Sequence, residues 1–168
     1  MKNMTLPVRN SNRSYRLFIA GLTVLALFFS GCKDKEEVES LISDQPTPTW
    51  AVAANYDMTA SMSAIVKVDL SLTYPKQITD PEQSIAQNDL LAAFAGDQCV
   101  GVTSPVNGLF FLYIVGNAAD QTELTLQYYS AILKNTFIAK QTLTFKNDAQ
   151  EGTVNNPIVP EFVVLQKK

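Results

Sequence analysis

The sequence predicts an antiparallel β-sandwich of seven to nine short strands, Ig-like or jelly-roll-like, carried behind a secretion signal and a tether. Three observations predict it. From Trp50 onward apolar residues recur with period two, turn residues interrupt them at short intervals, and no window carries a helical stripe. A chain of 168 residues has room for one such domain with a real core.

Taken in order, residues 1–31 contain Lys2, Arg9, Arg13 and Arg16 and no acid, then the apolar run 17–29, then Ser30, Gly31 and Cys32. Basic, apolar and small residues in that order predict a signal peptide. The run of 13 residues is short of the roughly 20 that span a bilayer as a helix. Residues 32–49 are rich in charge and contain Pro46 and Pro48, which predicts a flexible acidic tether reaching at most about 55 to 60 Å. The sandwich is expected over residues 50–168.

Within it, Met62, Ala64, Val66, Val68 and Leu70 alternate with Ser61, Ser63, Lys67 and Asp69, and Ile65 alone breaks the pattern, so a half-buried strand is expected. Residues 90–95 and 98–103 flank Gly96-Asp97 as the arms of a tight hairpin, which sets Phe94 opposite Cys99. Residues 108–115 are apolar on both faces, as in a central strand. Leu124, Leu126 and Tyr128 predict another strand, as do Phe137, Ala139, Leu143 and Phe145. Residues 158–165 supply the last, where Pro160 predicts an edge or a bulge. Residues 80–91 are the best candidate for one short helical turn.

Removal of the signal would leave nine Lys, no Arg and no His against 16 acidic residues, a formal charge of −7. Such a chain repels nucleic acid and anionic lipid and offers no bidentate phosphate clamp, and no nucleotide-binding fingerprint occurs. Without His there is no Ser-His-Asp triad and no ordinary zinc site. Carboxylates remain as a route to hydrolysis, with Asp57, Asp69, Glu82, Asp89, Asp97, Asp148 and Glu151 as candidates. Asp89 and Asp97 are candidate calcium ligands. Trp50, Tyr56, Tyr74, Tyr113 and Tyr129 are candidate sugar platforms; Tyr129, on the polar face with Thr125 and Gln127, is expected to be the most exposed, while Trp50 opens the sandwich. Cys99 has no partner for an internal disulfide once Cys32 is modified, and reads as a small buried hydrophobe.

Three resemblances add to this reading. Ser30-Gly31-Cys32 resembles the lipobox of bacterial lipoproteins, with Phe29 where leucine is usual. It implies lipid on Cys32, where two or three chains at about 0.8 kcal/mol per buried CH2 would hold the protein on a membrane. Asn88-Asp89-Leu90, Ala93-Phe94, Gly96-Asp97, Cys99 and Gly101-Val102, followed by Gly108-Leu109-Phe110-Phe111-Leu112 and Val115-Gly116-Asn117, resemble a β-sandwich module of Bacteroidota surface proteins. Trp50, Tyr56-Asp57-Met58, Tyr128-Tyr129 and Asn156-Pro157 extend the match. The module often has a basic residue where Val100 stands and an acid where Ser130 stands, so no polar site is implied at those two positions. Lys33, Asp34, Lys35, Glu36 and Glu37 are similar to the surface-export signal of that phylum. The resemblances imply an outer-membrane lipoprotein facing the cell exterior, with membrane contact through Cys32.

The expectation is a non-enzymatic surface lipoprotein that binds a glycan or a protein, without nucleic acid or nucleotide and with calcium as its one candidate cofactor. The alternatives are an accessory subunit or stalk without a ligand, and a small carboxylate-dependent hydrolase.

Overall fold

In β1 (Ala60–Val66) alternate side chains, Ala60, Met62, Ala64 and Val66, are buried, as period-two patterning requires of a strand with one face in a core. The computed structural model describes residues 41–54, 58–80, 85–119 and 121–165, all within the unit Glu39–Lys168. The signal peptide, Cys32 and the Lys33 to Glu37 stretch lie outside them.

Eight further strands follow among the described residues: β2 (Leu90–Ala95), β3 (Gln98–Thr103), β4 (Pro105–Val106), β5 (Leu109–Gly116), β6 (Glu123–Ser130), β7 (Asn135–Thr144), β8 (Gln150–Glu151) and β9 (Phe162–Val164). They form a first sheet of order β4-β5-β1-β8 and a second of order β3-β2-β6-β7-β9. The sheets pack face to face as a β-sandwich, as the alternation predicts. All named pairings are antiparallel except β1 with β8. At the centre of the core, Tyr128 meets Phe110, Phe137 and Phe162 at ring-centroid distances of 5.9, 6.0 and 5.8 Å.

The β2–β3 hairpin turns at Gly96-Asp97, Gly96 taking the positive φ of 59° and Asp97 none, and Phe94 pairs with Cys99. A one-residue bulge between Ala93 and Phe94 in this register lets Val100 reach the core. In β7 two extra residues oppose β6 between Ile138 and Thr142. An even insertion preserves alternation, so Ala139 stays in the core and Leu143 packs against it.

The structure departs from the sequence expectation in four places. β1 ends at Val66, because Asp69 accepts the backbone N–H of Ser71 and starts a short 3-10 turn, Leu70–Leu72, although Val68 and Leu70 remain buried. The last segment divides at Pro160: Ile158 bridges Val66 in the first sheet, and β9 pairs with β7 at the edge of the second. β5 is not enclosed on both faces, since Phe111 and Tyr113 point outward and are exposed. Residues 41–49, expected to be free tether, are docked.

This last departure has a clear physical cause. Leu41 is apolar and enters the main core, while the Ser43 and Gln45 N–H groups donate to the carbonyls of Leu133 and Lys134. Asn135 Nδ2 donates to the Leu41 carbonyl, and Gln45 Nε2 to Asn135 Oδ1 at 2.9 Å. Apolar burial and backbone pairing outweigh the entropy that the charge and proline content of this stretch led us to expect. The strap ends at Trp50, whose ring stands edge-on to Phe94 at 5.7 Å.

Candidate functional site

Each sheet has an inner face in the core and an outer face whose cover differs. On the second sheet, Ala92, Phe94 and Cys99 form an outer apolar cluster against which Trp50 and Val102 pack. Farther along, Tyr129 is 3 % exposed and its hydroxyl donates to the Gln45 carbonyl at 3.1 Å. The expectation that Tyr129 is the exposed platform is therefore corrected. Its outward direction was read properly, but the strap lies over it. Trp50 likewise serves as cover for the hairpin.

The first sheet has an outer face without such cover among the described residues. Phe111 and Tyr113, at alternate positions of β5, are 43 % and 64 % exposed. Tyr113 is in register with Ser63, and Ser63 with Gln150 on the far side; Phe111 is in register with Ile65. The result is one row across three strands, Tyr113-Ser63-Gln150, and one across two, Phe111-Ile65. These residues line a groove of about 230 Å³ that carries no ionisable side chain other than the Tyr113 phenol. Two aromatic rings beside a hydroxyl and an amide can stack an apolar surface and hydrogen-bond its rim. Tyr113 was among the sequence candidates. Phe111 was missed, because an apolar run on both faces reads as burial, and nothing in the strand itself reveals that its neighbour β4 has two residues.

The carboxylates scatter. Asp69 caps the 3-10 turn, and Asp97 and Asp148 are exposed in turns. Asp57 and Glu82 lie outside the described residues. Asp89 and Asp97 stand at opposite ends of β2, roughly 20 Å apart at strand rise, so they cannot share a calcium ion. No group of three or more His, Cys, Asp or Glu among the described residues could hold a metal.

Asp89 instead accepts three hydrogen bonds while fully buried. Oδ2 takes the Tyr128 hydroxyl at 2.6 Å and the Ala86 N–H at 2.9 Å, and Oδ1 takes the Ala131 N–H at 2.7 Å. Burial pushes its carboxyl above the ordinary 3.8, against the lowering effect of those bonds. The same contact, with burial first, holds the Tyr128 phenol far above its usual range. Asp89 thereby ties together β2, the turn before it and the turn after β6. Burial also raises the Cys99 thiol above 9.0, although Sγ faces the Gly101 carbonyl at 3.5 Å. Such a thiol is a poor nucleophile.

No family model, curated protein or solved structure matches this chain significantly.

Proposed function

We propose that this is a non-enzymatic, lipid-anchored surface protein whose sandwich holds a glycan on the outer face of its first sheet. The observation that carries the reading is the asymmetry of cover at the aromatic residues: the strap covers Tyr129 and, through Trp50, Phe94 on the second sheet, whereas Phe111 and Tyr113 stay exposed beside Ser63 and Gln150. A stable protein interface commonly buries about 800 Å² per partner. Two rings, a hydroxyl and an amide in a 230 Å³ groove suit a ligand of one or two sugar units better. The absence of charge in the groove favours a neutral glycan.

Anchoring is supported by the order of basic, apolar and small residues ending at Cys32, and exterior display by Lys33, Asp34, Lys35, Glu36 and Glu37. Cys32→Ser is expected to abolish incorporation of labelled fatty acid, and alanine at residues 33–37 to protect the lipidated protein from protease added to intact cells. For the ligand, a glycan array followed by titration is the test. Tyr113→Ala and Phe111→Ala are each expected to weaken binding by about 1 to 2 kcal/mol, roughly 5- to 30-fold, with unchanged thermal stability. Tyr129→Ala should lower stability instead. An array without any bound glycan would favour the stalk, and binding unchanged in both ring variants would move the site elsewhere.

A further inference from the structure

The strap changes how the domain can meet a membrane. If Cys32 carries lipid, the reading on which this inference rests, eight residues separate it from Leu41, which is fixed in the core. Nine residue steps reach about 30 Å at full extension, half the span expected of the whole tether. The point of attachment is defined as well. Residues 41–45 bond to residues 133–136, at the turn between β6 and β7.

That end of the sandwich carries exposed aliphatic side chains. Ile42 is 69 % and Ile132 53 % exposed, one on the strap and one in the turn it binds. Asp89 joins this turn to Ala86. Ala86 shares a cleft with exposed Val106, and a neighbouring cleft is lined by Ile85, Asn107, exposed Val154 and Lys67. Lys134, in the β6–β7 turn, is exposed too; Asp44 on the strap is the exposed acid nearest in sequence to Ile42. By contrast, the opposite end of β6 and β7 carries Glu123 with Thr142 and Thr144, a polar rim.

We infer that the β6–β7 end, through Ile42 and Ile132 with Lys134 beside them, rests in the headgroup layer of the membrane that holds the lipid. The occupant follows from where the chain leads: an anchor within about 30 Å keeps this end the nearest to the bilayer. Exposed isoleucines gain by leaving water there, and lysine heads remain at the interface.

The test uses the full lipidated protein in vesicles of phosphatidylethanolamine and phosphatidylcholine, which carry no net charge to repel the acidic chain. Ile132→Cys or, as a distal control, Gln121→Cys carries an environment-sensitive dye, with buried Cys99 controlled by labelled wild type. Nitroxide on lipid headgroups is expected to quench the dye at 132 at least threefold more than at 121. An Ile42→Glu, Ile132→Glu double variant, also probed through a dye at Lys134→Cys, should stay vesicle-bound and lose the quenching seen at Lys134→Cys alone. Equal quenching at 132 and 121 in vesicle-bound protein would overturn the contact and leave the anchor standing. Failure of wild type to join vesicles at all would overturn the anchor and the contact with it.

Discussion

Replacing Asp89 tests whether one buried carboxylate holds an end of the sandwich together. Asp89→Ala leaves the Tyr128 hydroxyl and the Ala86 and Ala131 N–H groups without their acceptor. A buried donor left unsatisfied costs about 1 to 3 kcal/mol. Tyr128 is wholly buried, so its share is felt in full, while water can reach the two part-buried amides. The expected loss is about 3 to 5 kcal/mol, a large part of the 5 to 15 kcal/mol that ordinarily separates folded from unfolded chains. Asp89→Asn retains one acceptor oxygen and should lose about 1 to 3 kcal/mol.

The pH dependence separates the carboxyl from its shape. Burial holds the folded Asp89 above 3.8, so the folded chain keeps this proton at pH values where the unfolded chain has released it. Stability from this group therefore rises as pH falls through the folded value, is complete below 3.8, and is lost as pH rises again. Asparagine does not titrate. In urea unfolding followed by near-ultraviolet circular dichroism, the gap between wild type and Asp89→Asn should widen as pH is lowered from about 7 to about 4. A gap that narrows over that interval, or an Asp89→Ala variant within about 1 kcal/mol of wild type, would refute the reasoning.

Gly101 faces β5 so closely that an added Cβ would lie 2.4 Å from the Tyr113 carbonyl oxygen, which belongs to backbone and cannot turn away. Gly101→Ala should cost at least about 2 kcal/mol, seen as a lower thermal midpoint, and an unchanged midpoint would contradict the packing. Trp50 packs against the cluster that contains Cys99. A bulky thiol reagent should modify Cys99 slowly in wild type and at least about tenfold faster in Trp50→Ala, because the raised thiol loses its cover; equal rates would mean that the strap does not guard the hairpin.

Local signals were legible wherever a residue's neighbours in sequence decide its surroundings. Gly96-Asp97 fixed the β2–β3 turn, and alternation fixed the inward residues of β1, β6 and β7, including Ala139, whose phase survives an irregularity no pattern announces. Pro160 marked an edge through its missing N–H, though not that the chain changes sheets there. The candidate site was much less legible. Tyr129 and Tyr113 both point away from the core, but Tyr129 shares a polar face with Thr125 and Gln127 while Tyr113 lies in a run apolar on both faces, so the local sequence points to the wrong one as exposed. Their fates differ because residues distant in sequence cover one face: Gln45 lies 84 positions from Tyr129. Asp89 stands only as a candidate calcium ligand or a strand start in the sequence for the same reason, since its three partners lie in two separated turns and a neighbouring strand.

The docked strap also bears on what the exposed rings can reach. β6 ends, and β7 begins, at the turn that holds the strap, and Phe110 of β5 contacts Tyr128 near that same end. The strands therefore run away from the attachment point, and a domain seated on its β6–β7 end stands with them upright. Tyr113 then lies four residues beyond Leu109, roughly 13 Å along β5 at strand rise. In the proposed seating its groove would open sideways, parallel to the membrane, at a height set by the fold instead of by a long tether. A glycan bound there would be held lengthwise close to the surface, and a chain projecting far into the medium would be captured only where it bends back. Releasing the strap would restore the reach of residues 33–49 and free the groove to turn outward. In that proposed seating Leu41, by entering the core, and Gln45 and Trp50, by covering Tyr129 and Phe94, would also set the direction in which Phe111 and Tyr113 face.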